Sequence, residues 1–528
     1  MPPQFDVRLP WAAHAAGPGG KALVRLVLPE WLPRQRWFSG HARQVTGIDV
    51  EEAVRLPVGD AVLMVVRTDF ADGGHQRFAV PVGYVPAAPA TRLRHEAPER
   101  ILANTTDGGV LHDDMTEGLG LSLLLAIARS ERWPTACGEL VGERTSGFDA
   151  LIGHTGIEHV GARRITGEQS NTSVILGDRV ILKLVRRLEP GLNPDYDIGR
   201  HLTDRVRFEG VPALAGAVVW RGHGAEPTVV SIAQAFVEGA SGLREHVVRA
   251  LAAFMREEVS RVDNPGWSPA AGACHELLES AAALGRRTGE LHRALADAHG
   301  DPDFEPAPAT AADLAAASRD MQAQVEHSLD VLADRASDLV GASAALASRV
   351  LSARAMLRRA AGAVATAPPG LLRIRVHGDY QLDQVLLAHG RFVLIDFEGE
   401  PLRPIAERRG RFLAMKDVAG MVRSYSYAAY TALFEVAGDD ERLAERLDPV
   451  ARWWQAEAAA AFVAGYRGAT HQTGFVPNED AEFATLLSAF VVEKAAYELR
   501  YEIGHRPRWL RIPLRGMVDT VDALGTRS

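Results

Sequence analysis

The spacing of apolar and polar residues divides the chain into a strand-rich first part and a helix-rich second part. Residues 62–67 and 77–82 are runs of β-favouring residues on either side of an Asp-Gly-Gly turn at 72–74. Helical spacing follows near 120–130 and 147–151. Residues 1–20 are rich in Pro, Gly and Ala and predict a flexible lead-in.

A second strand-rich stretch begins near residue 160. The pattern predicts strand, polar turn and strand over 164–176, a tight turn at Gly177-Asp178, and a third strand over 180–185. Asn193-Pro194 is a typical helix start, and further strands are predicted at 217–220 and 228–232.

The second part of the chain favours helix. From about 242 to 366 it contains Ala-rich segments at 311–333 and 336–362 that lack proline. A strand at 372–376 and an acidic loop interrupt this pattern, which resumes over 415–505 before a short tail. A lysine-bearing strand, then helices, then a late acidic loop is the order of a bilobal kinase.

Acids and amides cluster between residues 377 and 398, in the stretches His-Gly-Asp-Tyr-Gln-Leu-Asp-Gln and Ile-Asp-Phe-Glu. A phosphoryl-transfer enzyme needs one acid to accept the proton of the attacking hydroxyl, and oxygen ligands that hold magnesium on the nucleotide. We expect Asp379 to be that base and Gln384 and Asp396 to bind magnesium, with Glu398 added from the same strand face. An acidic surface hairpin is the alternative. His377, at a strand end, is expected to bond to the backbone.

Lys183 lies in an apolar strand, where burial is costly unless an anion meets the ammonium group. We therefore interpret it as a contact for the ATP phosphates. A lysine on an edge strand that points to solvent is the alternative. We expect an acid on the following helix to orient it, with Asp197 better placed than Glu189.

Two further stretches are predicted to contact the nucleotide. The polar turn over 167–173 offers backbone N–H groups and the hydroxyls of Ser170 and Thr172 to phosphates, although a simple hairpin turn explains it equally well. Gln234, Phe236 and Val237 lie where the strands give way to helices, and this position alone predicts a hinge that hydrogen-bonds adenine.

Composition narrows the class of protein. The 528 residues carry a formal charge of −9, which argues against broad nucleic-acid binding because such binding normally needs a basic face. Cys137 and Cys274 fit buried small residues of a reducing compartment. Neither a secretory signal nor a run of about 18 apolar residues is visible, so we expect a cytoplasmic protein without a membrane partner.

Several stretches resemble the maltokinase-like branch of the aminoglycoside-phosphotransferase (protein-kinase-like) superfamily. Residues 31–38 look like the entry of the N-terminal cap of those kinases, and 167–173 and 181–184 are similar to their strand-rich lobe. Ile-Asp-Phe-Glu-Gly-Glu-Pro at 395–401 matches the catalytic segment, which continues to Glu-Arg-Arg at 407–409. The stretches 493–498 and 506–509 match late in the chain.

The resemblance implies an α+β, bilobal, protein-kinase-like (aminoglycoside phosphotransferase-like) fold with an additional N-terminal cap domain. The expected domains are a cap over 1–150, a β-rich nucleotide-binding lobe over 151–240, and a mainly helical catalytic and substrate lobe over 241–528. The resemblance also implies phosphorylation of a sugar hydroxyl with ATP and Mg²⁺ as cofactors. We expect a monomer or weak homodimer.

The residues beside the expected base indicate which sugar is used. Maltokinases usually carry His-Leu-Gly where this chain has Gln381-Leu382-Asp383, and an extra carboxylate costs desolvation unless it meets a donor or a cation. An ammonium group on the substrate would supply the cation, so the chain looks like the actinobacterial glucosamine kinases. The expected sugar contacts are Asp383, Gln381, Tyr497 and Glu498, and the expected product is glucosamine 6-phosphate.

Two alternatives remain open. In the first, Asp383 faces solvent and the protein is a maltokinase that forms maltose 1-phosphate. In the second, the chain keeps the fold as a catalytically inactive, sugar-sensing pseudokinase.

Overall fold

The computed structural model describes residues 2–40, 43–115, 117–152, 161–165, 171–263, 267–270, 272–401 and 403–525. Contacts divide the chain into two compact units, Met1–Glu238 with Arg403–Glu407, and Gly239–Leu402 with Arg408–Ser528. Strands dominate the first unit and helices the second, so the α+β class is confirmed. The predicted division at residues 150 and 240 remains a prediction.

The strands of the described residues are short to medium in length: β1 (Gln4–Phe5), β2 (Val45–Arg55), β3 (Ala61–Phe70), β4 (His75–Val85), β5 (Ile101–Thr105), β6 (Val110–Asp113), β7 (Arg132–Thr135), β8 (Gly138–Arg144), β9 (Ala162–Arg164), β10 (Thr172–Leu176), β11 (Val180–Leu184), β12 (Arg187–Leu188), β13 (Leu214–Gly222), β14 (Thr228–Ala235), β15 (Ser241–Gly242), β16 (Ala307–Pro308), β17 (Leu372–Arg373), β18 (Val385–Ala388) and β19 (Arg391–Leu394).

The α-helices of the same residues are longest near the C-terminal end: α1 (Trp11–His14), α2 (Pro18–Leu26), α3 (Leu28–Trp31), α4 (Ala87–Glu96), α5 (Glu117–Arg129), α6 (Gly147–Ile152), α7 (Pro194–Arg200), α8 (Leu243–Glu258), α9 (His275–Leu295), α10 (Ala311–Arg335), α11 (Gly341–Ser352), α12 (Arg354–Gly362), α13 (Ile405–Arg408), α14 (Met415–Ala437), α15 (Glu441–Thr470), α16 (Asp480–His505) and α17 (Arg511–Gly525).

Two seven-stranded sheets form the first unit, counted over the residues that the structure describes. The first sheet has the order β1-β5-β6-β4-β3-β2, with β12 paired to β4, and the second has the order β7-β8-β13-β14-β11-β10-β9. The predicted turn at 72–74 joins β3 to β4, and the predicted tight turn between β10 and β11 has positive φ at Gly177 and Asp178. Runs of β-favouring residues between turn signals thus predicted β3, β4, β10 and β11 correctly.

Helix α5 fills the space between the two sheets of the first unit. Its buried Leu119, Leu123 and Ile127 share one hydrophobic cluster with Leu63 of the first sheet and Val174 of the second. The strand that bears Lys183 is therefore held on a core common to both sheets.

The predicted flexible lead-in is wrong. Trp11 is buried, its main-chain N–H donates to the Asp60 carboxylate at 2.6 Å, and its indole N–H donates to the Val82 carbonyl at 3.1 Å. Phe5 and Ala12 are buried in the same hydrophobic cluster as Trp11, so the segment is packed on the first sheet. The expectation of buried cysteines also fails for Cys137, which is exposed.

The second unit is helical around a small sheet of β15, β18 and β19. The Ala-rich segment 336–362 divides into two helices, α11 and α12, which pack on different partners. Arg349 of α11 pairs with Asp522 of α17 at 2.7 Å, whereas Arg354 of α12 pairs with Asp330 of α10 at 2.6 Å. No helix within the described ranges is long and apolar enough to cross a lipid bilayer.

Candidate active site

One face of α14 holds the backbone of the acidic loop. Asp417 accepts the N–H groups of His377 and Gly378 at 2.8 and 2.9 Å, and Ser424 accepts the N–H of Leu382 at 2.9 Å. Between them, a Cβ on Gly420 would lie 2.6 Å from the Tyr380 carbonyl oxygen, so only glycine permits this approach. The spacing i, i+3, i+7 places all three α14 residues on one face of the helix.

Asp417 is itself fully buried and fixed from the other side by His292. The His292 Nε2 lies 3.0 Å from the Asp417 carboxylate, and its Nδ1 lies 2.8 Å from the Tyr466 hydroxyl. Burial alone would raise the pKa of Asp417, but the His292 hydrogen bond and charge and the backbone N–H donors lower it below its ordinary value. The carboxylate is therefore a charged anchor for the loop that carries Asp379.

The two acidic stretches approach each other at a pair of glycines. A Cβ on Gly378 would lie 3.3 Å from the Gly399 Cα, and His377 Nε2 lies 2.9 Å from the Ile395 carbonyl. The expected backbone role of His377 is consistent with this contact. Asp379 and Asp396 thus lie on loops that are packed and hydrogen-bonded to one another.

Asp396 adopts a left-handed backbone conformation, with φ of +67°. Because β19 ends at Leu394, strand alternation does not place Glu398 beside Asp396, as the sequence had suggested. The turn at 396–399 does so instead, and oxygens of the two carboxylates lie within 4.8 Å of one another. The backbone of Gln384 is close in space, since its carbonyl accepts the N–H of Ile395 at 3.0 Å. Carboxylate and amide oxygens are the ligands that Mg²⁺ prefers.

A lysine that sequence reasoning did not select lies beside the expected base. Lys494 of α16 places its Nζ 3.4 Å from the Asp379 Oδ1, and both side chains are partly buried. The two residues are 115 positions apart, so no local pattern joins them. The only available signal was the resemblance of the stretch 493–498.

The expected sugar contacts have different surroundings. The Asp383 Oδ2 lies 3.6 Å from the Arg244 Nε, and the side chain is half-exposed. Gln381 is half-buried at the start of a short 3₁₀ turn, Leu382–Gln384. Tyr497 is half-buried, with its ring centroid 5.3 Å from the Lys494 Nζ.

Glu498 lies in the helical core rather than in an open pocket. It accepts hydrogen bonds from the Arg423 Nε and Nη2 at 3.0 and 2.7 Å, and both residues are buried. This placement favours a structural ion pair over the sugar contact that the sequence suggested.

In the first unit, Lys183 meets an acid that the sequence analysis passed over. Its Nζ lies 3.3 Å from the Asp195 Oδ2, in the first turn of α7. The side chain of Asn193 caps that helix by accepting the N–H of Asp195 at 2.8 Å. The expected helix acid is thus present, and the salt bridge observed is to Asp195.

The other predicted nucleotide contacts have different surroundings in the structure. Ser170 lies outside the described residues. Thr172 is buried, and its hydroxyl accepts the Arg186 Nε at 2.8 Å, which favours a structural role. Gln234, in β14, and Val237 are half-buried, and the N–H of Phe236 already donates to the Arg179 carbonyl at 2.7 Å.

Comparison with known proteins adds family relationships to this geometry. Residues 31–116 match the family described as "Maltokinase N-terminal cap domain". The glucosamine kinase of Streptacidiphilus jiangxiensis is 27% identical over 440 residues, which cover 83% of this chain and 88% of that protein. The glucosamine kinase of Mycolicibacterium smegmatis is 28% identical over 354 residues, or 67% of this chain and 78% of that one.

Among solved structures, a glucosamine kinase in complex with glucosamine, ADP and inorganic phosphate is similar in fold. Its TM-score is 0.62 at 24% identity, over 95% of this chain and 99% of that chain. The kinase-like α+β fold with an N-terminal cap is therefore confirmed, as is the resemblance to the maltokinase-like branch, whose cap match begins at the predicted residue 31.

Proposed function

We propose that this chain, a relative of the glucosamine kinases with a maltokinase-type cap, transfers the γ-phosphoryl group of ATP to D-glucosamine and forms glucosamine 6-phosphate. The observation that carries the proposal is the anchored loop, in which Asp417, Gly420 and Ser424 fix the backbone around Asp379. A surface hairpin would not need a buried charged anchor of this kind. The glucosamine kinase names of its relatives support the choice of reaction.

In the proposed mechanism, the chain positions two reactants and moves one proton. Asp379 accepts the proton of the sugar hydroxyl as that oxygen attacks the γ-phosphorus. Lys183, oriented by Asp195, binds the nucleotide phosphates. Holding both substrates in line accounts for much of the acceleration.

Magnesium fits the acidic cluster of the second unit. Asp396 and Glu398 offer carboxylate oxygens within 4.8 Å of one another, and Gln384 would add an amide oxygen. The ion, when bound, neutralises charge on the phosphate oxygens. The backbone of Asp396, the first of these ligands, has a left-handed conformation.

Asp383 is the proposed contact for the ammonium group of glucosamine. Its carboxylate is half-exposed, and Arg244, at 3.6 Å, lies beyond hydrogen-bond distance. A substrate ammonium group would therefore find an acceptor that the chain only partly satisfies. Gln381 and Tyr497, both half-buried, are proposed to contact the sugar hydroxyls.

A panel of sugars with ATP and Mg²⁺, measured by ADP release, tests this function. We expect turnover with glucosamine to exceed that with maltose, and Asp379→Ala to lower kcat by about 100- to 10,000-fold because the proton acceptor is lost. Arg249→Ala, which removes an exposed residue of the second unit, is a suitable control.

Each alternative predicts a different pattern in the same panel. Faster turnover of maltose would replace the proposal with a maltokinase, which the match of the cap family keeps open. Absence of turnover with every sugar, together with retained sugar binding, would indicate the pseudokinase. Activity that survives Asp379→Ala would remove this residue from the role of base. The cytoplasmic location and the monomeric or weakly dimeric state stay predictions.

A further inference from the structure

Lys494 forms an ion pair with the expected base, Asp379, within the second unit. It extends from α16 so that its Nζ lies 3.4 Å from the Asp379 Oδ1. The side chains are 22% and 27% exposed, so the pair is shielded from bulk water but remains reachable by a substrate. Such a site strengthens electrostatic interactions relative to an exposed surface pair.

Four acids act electrostatically on this ammonium group, and they come from two parts of the chain. Asp379 and Glu400 belong to the acidic stretches, and Glu493 and Glu498 belong to α16 itself. Burial works against the charged form, but these four acids together raise the pKa of Lys494 above its ordinary value. At working pH the group is therefore a permanent cation and neither gives up nor accepts a proton.

Two of the four acids have strong cationic partners of their own. Glu498 pairs with Arg423 at 2.7 Å, and Glu400 pairs with Lys416 at 3.4 Å. Much of their charge is therefore compensated elsewhere. Asp379 forms an ion pair with Lys494 at 3.4 Å.

We propose that Lys494 is a catalytic residue that stabilises the phosphoryl group while it is transferred, an inference that rests on the proposed function. A base must lie about 2.6–3.2 Å from the hydroxyl that it deprotonates. An ammonium group 3.4 Å from that base is then close to the oxygen that attacks phosphorus. The equatorial oxygens of the transferring group gather charge there, where a fixed cation lowers the barrier.

Phosphoryl transfer leaves the protonation state of Lys494 unchanged. The bond from the sugar oxygen to phosphorus forms, and the proton of that oxygen passes to the Asp379 carboxylate. The bond from phosphorus to the bridging oxygen breaks, and its electron pair leaves with ADP. Lys494 keeps its three protons and moves its hydrogen bond from Asp379 to a phosphoryl oxygen as Asp379 becomes neutral.

The test compares Lys494→Met, which keeps the side-chain length, with Lys494→Arg, which keeps the charge. We expect the Met variant to lose about 100- to 1,000-fold in kcat, as when one electrostatic donor is removed from an active site. The KM values for ATP and glucosamine should change far less, and the Arg variant should recover part of kcat. Arg354→Met is the control, because it removes a partly buried cation of the same unit whose acidic partners, Glu326 and Asp330, lie outside the acidic stretches.

A second measurement separates catalysis from structure. ADP with aluminium fluoride and the sugar mimics the transferring phosphoryl group, so Lys494→Met should weaken binding of this mixture while it leaves the Kd of ADP alone unchanged. A Met variant with nearly normal kcat would overturn the inference. A Met variant in which ADP affinity, the thermal unfolding midpoint and kcat all decrease together would also overturn the inference, because that pattern indicates a structural role.

The proposed function can fail separately. If the unmutated protein phosphorylates maltose instead of glucosamine, the kcat values of Lys494→Met and Lys494→Arg are compared with maltose as substrate. The result of that comparison then decides the inference. If the unmutated protein phosphorylates no sugar, both the function and the inference are overturned. Should Lys494→Met not fold, Lys494→Gln against Lys494→Arg makes the same comparison.

Discussion

At the scale of single residues, Asp383 shows how the chain holds a carboxylate near the expected base. Burial raises the pKa of the Asp383 carboxyl group, Arg244 opposes the shift, and the nearby negative charge of Asp379 adds to it. The side chain nevertheless keeps 54% of its surface exposed. A half-exposed acid with a raised pKa gains from a cation that arrives with the substrate.

This environment makes the affinity for glucosamine depend on pH. As the pH falls through the raised pKa, Asp383 takes up a proton earlier than an ordinary aspartate, and the KM for glucosamine should rise. Asp383→Asn should raise that KM about fivefold at neutral pH, since a partly exposed ion pair is worth up to about 1 kcal/mol. Steady-state kinetics from pH 5 to 8 measure both effects.

Glucose, used as a competitive inhibitor, controls for the general shape of the pocket. Its Ki should be nearly the same in both proteins because it carries no ammonium group. Equal weakening of glucose and glucosamine would contradict the role of Asp383.

The raised pKa of Asp383 also affects the stability of the protein. The native state binds this proton more tightly than the unfolded chain, so ionisation of Asp383 costs stability above that pKa. Asp383→Asn should therefore not lower the free energy of unfolding at pH 7.

At the scale of elements, α14 holds the backbone of the acidic loop in place, and the sequence alone did not predict this contact. The loop itself was predicted from its acids and amides, because these residues are contiguous in the chain. The sequence analysis did not predict the face of α14 formed by Asp417, Gly420 and Ser424. An acid, a glycine and a hydroxyl at i, i+3 and i+7 in an apolar helix are nevertheless a recognisable pattern. What such a face binds depends on tertiary packing, which no local periodicity specifies.

Asp417→Asn tests this anchor through stability and its dependence on pH. Asp417 has a lowered pKa, so it contributes stability above its unfolded pKa, and this contribution is lost as the pH falls through the lower folded value. The substitution should reduce the free energy of unfolding by about 3–5 kcal/mol at pH 7, as expected when one partner of a buried charged network is lost. Urea unfolding at pH 7 and at pH 3 should show that the difference from the unmutated protein shrinks in acid. A difference that does not vary with pH would mean that the charge of Asp417 is unimportant.

At the scale of the molecule, each unit is organised around buried charges that connect distant parts of the chain. In the first unit, the fully buried Arg186 donates to both oxygens of Asp113 at 2.8 and 2.6 Å, to the Ala79 carbonyl at 3.2 Å, and lies 4.7 Å from the Trp37 ring. These contacts tie the segment after β11 to the first sheet. Strands and helices of this unit followed from local periodicity, whereas a pair 73 positions apart did not, because its partners are selected only by packing.

A double-mutant cycle on Asp113 and Arg186 measures this tie. Arg186 and Arg164 hold the pKa of the buried Asp113 below its ordinary value although burial opposes this, so the carboxylate is charged at neutral pH. Asp113→Asn should cost about 3–5 kcal/mol in the free energy of unfolding because it leaves a buried guanidinium uncompensated. Asp113→Asn with Arg186→Met should cost less than the sum of the single changes. Strict additivity in urea unfolding would show that the two side chains do not stabilise one another.

The left-handed backbone at Asp396 also bears on how this lineage can diverge. Asn and Gly populate that conformation readily, whereas Ala or Val there would strain the turn in addition to removing a ligand. A descendant that abandoned phosphoryl transfer but kept its fold would pass most easily through Asn or Gly at this position. Among related sequences, Asn or Gly at the position of Asp396 should therefore distinguish proteins that have lost kinase activity from those that retain it.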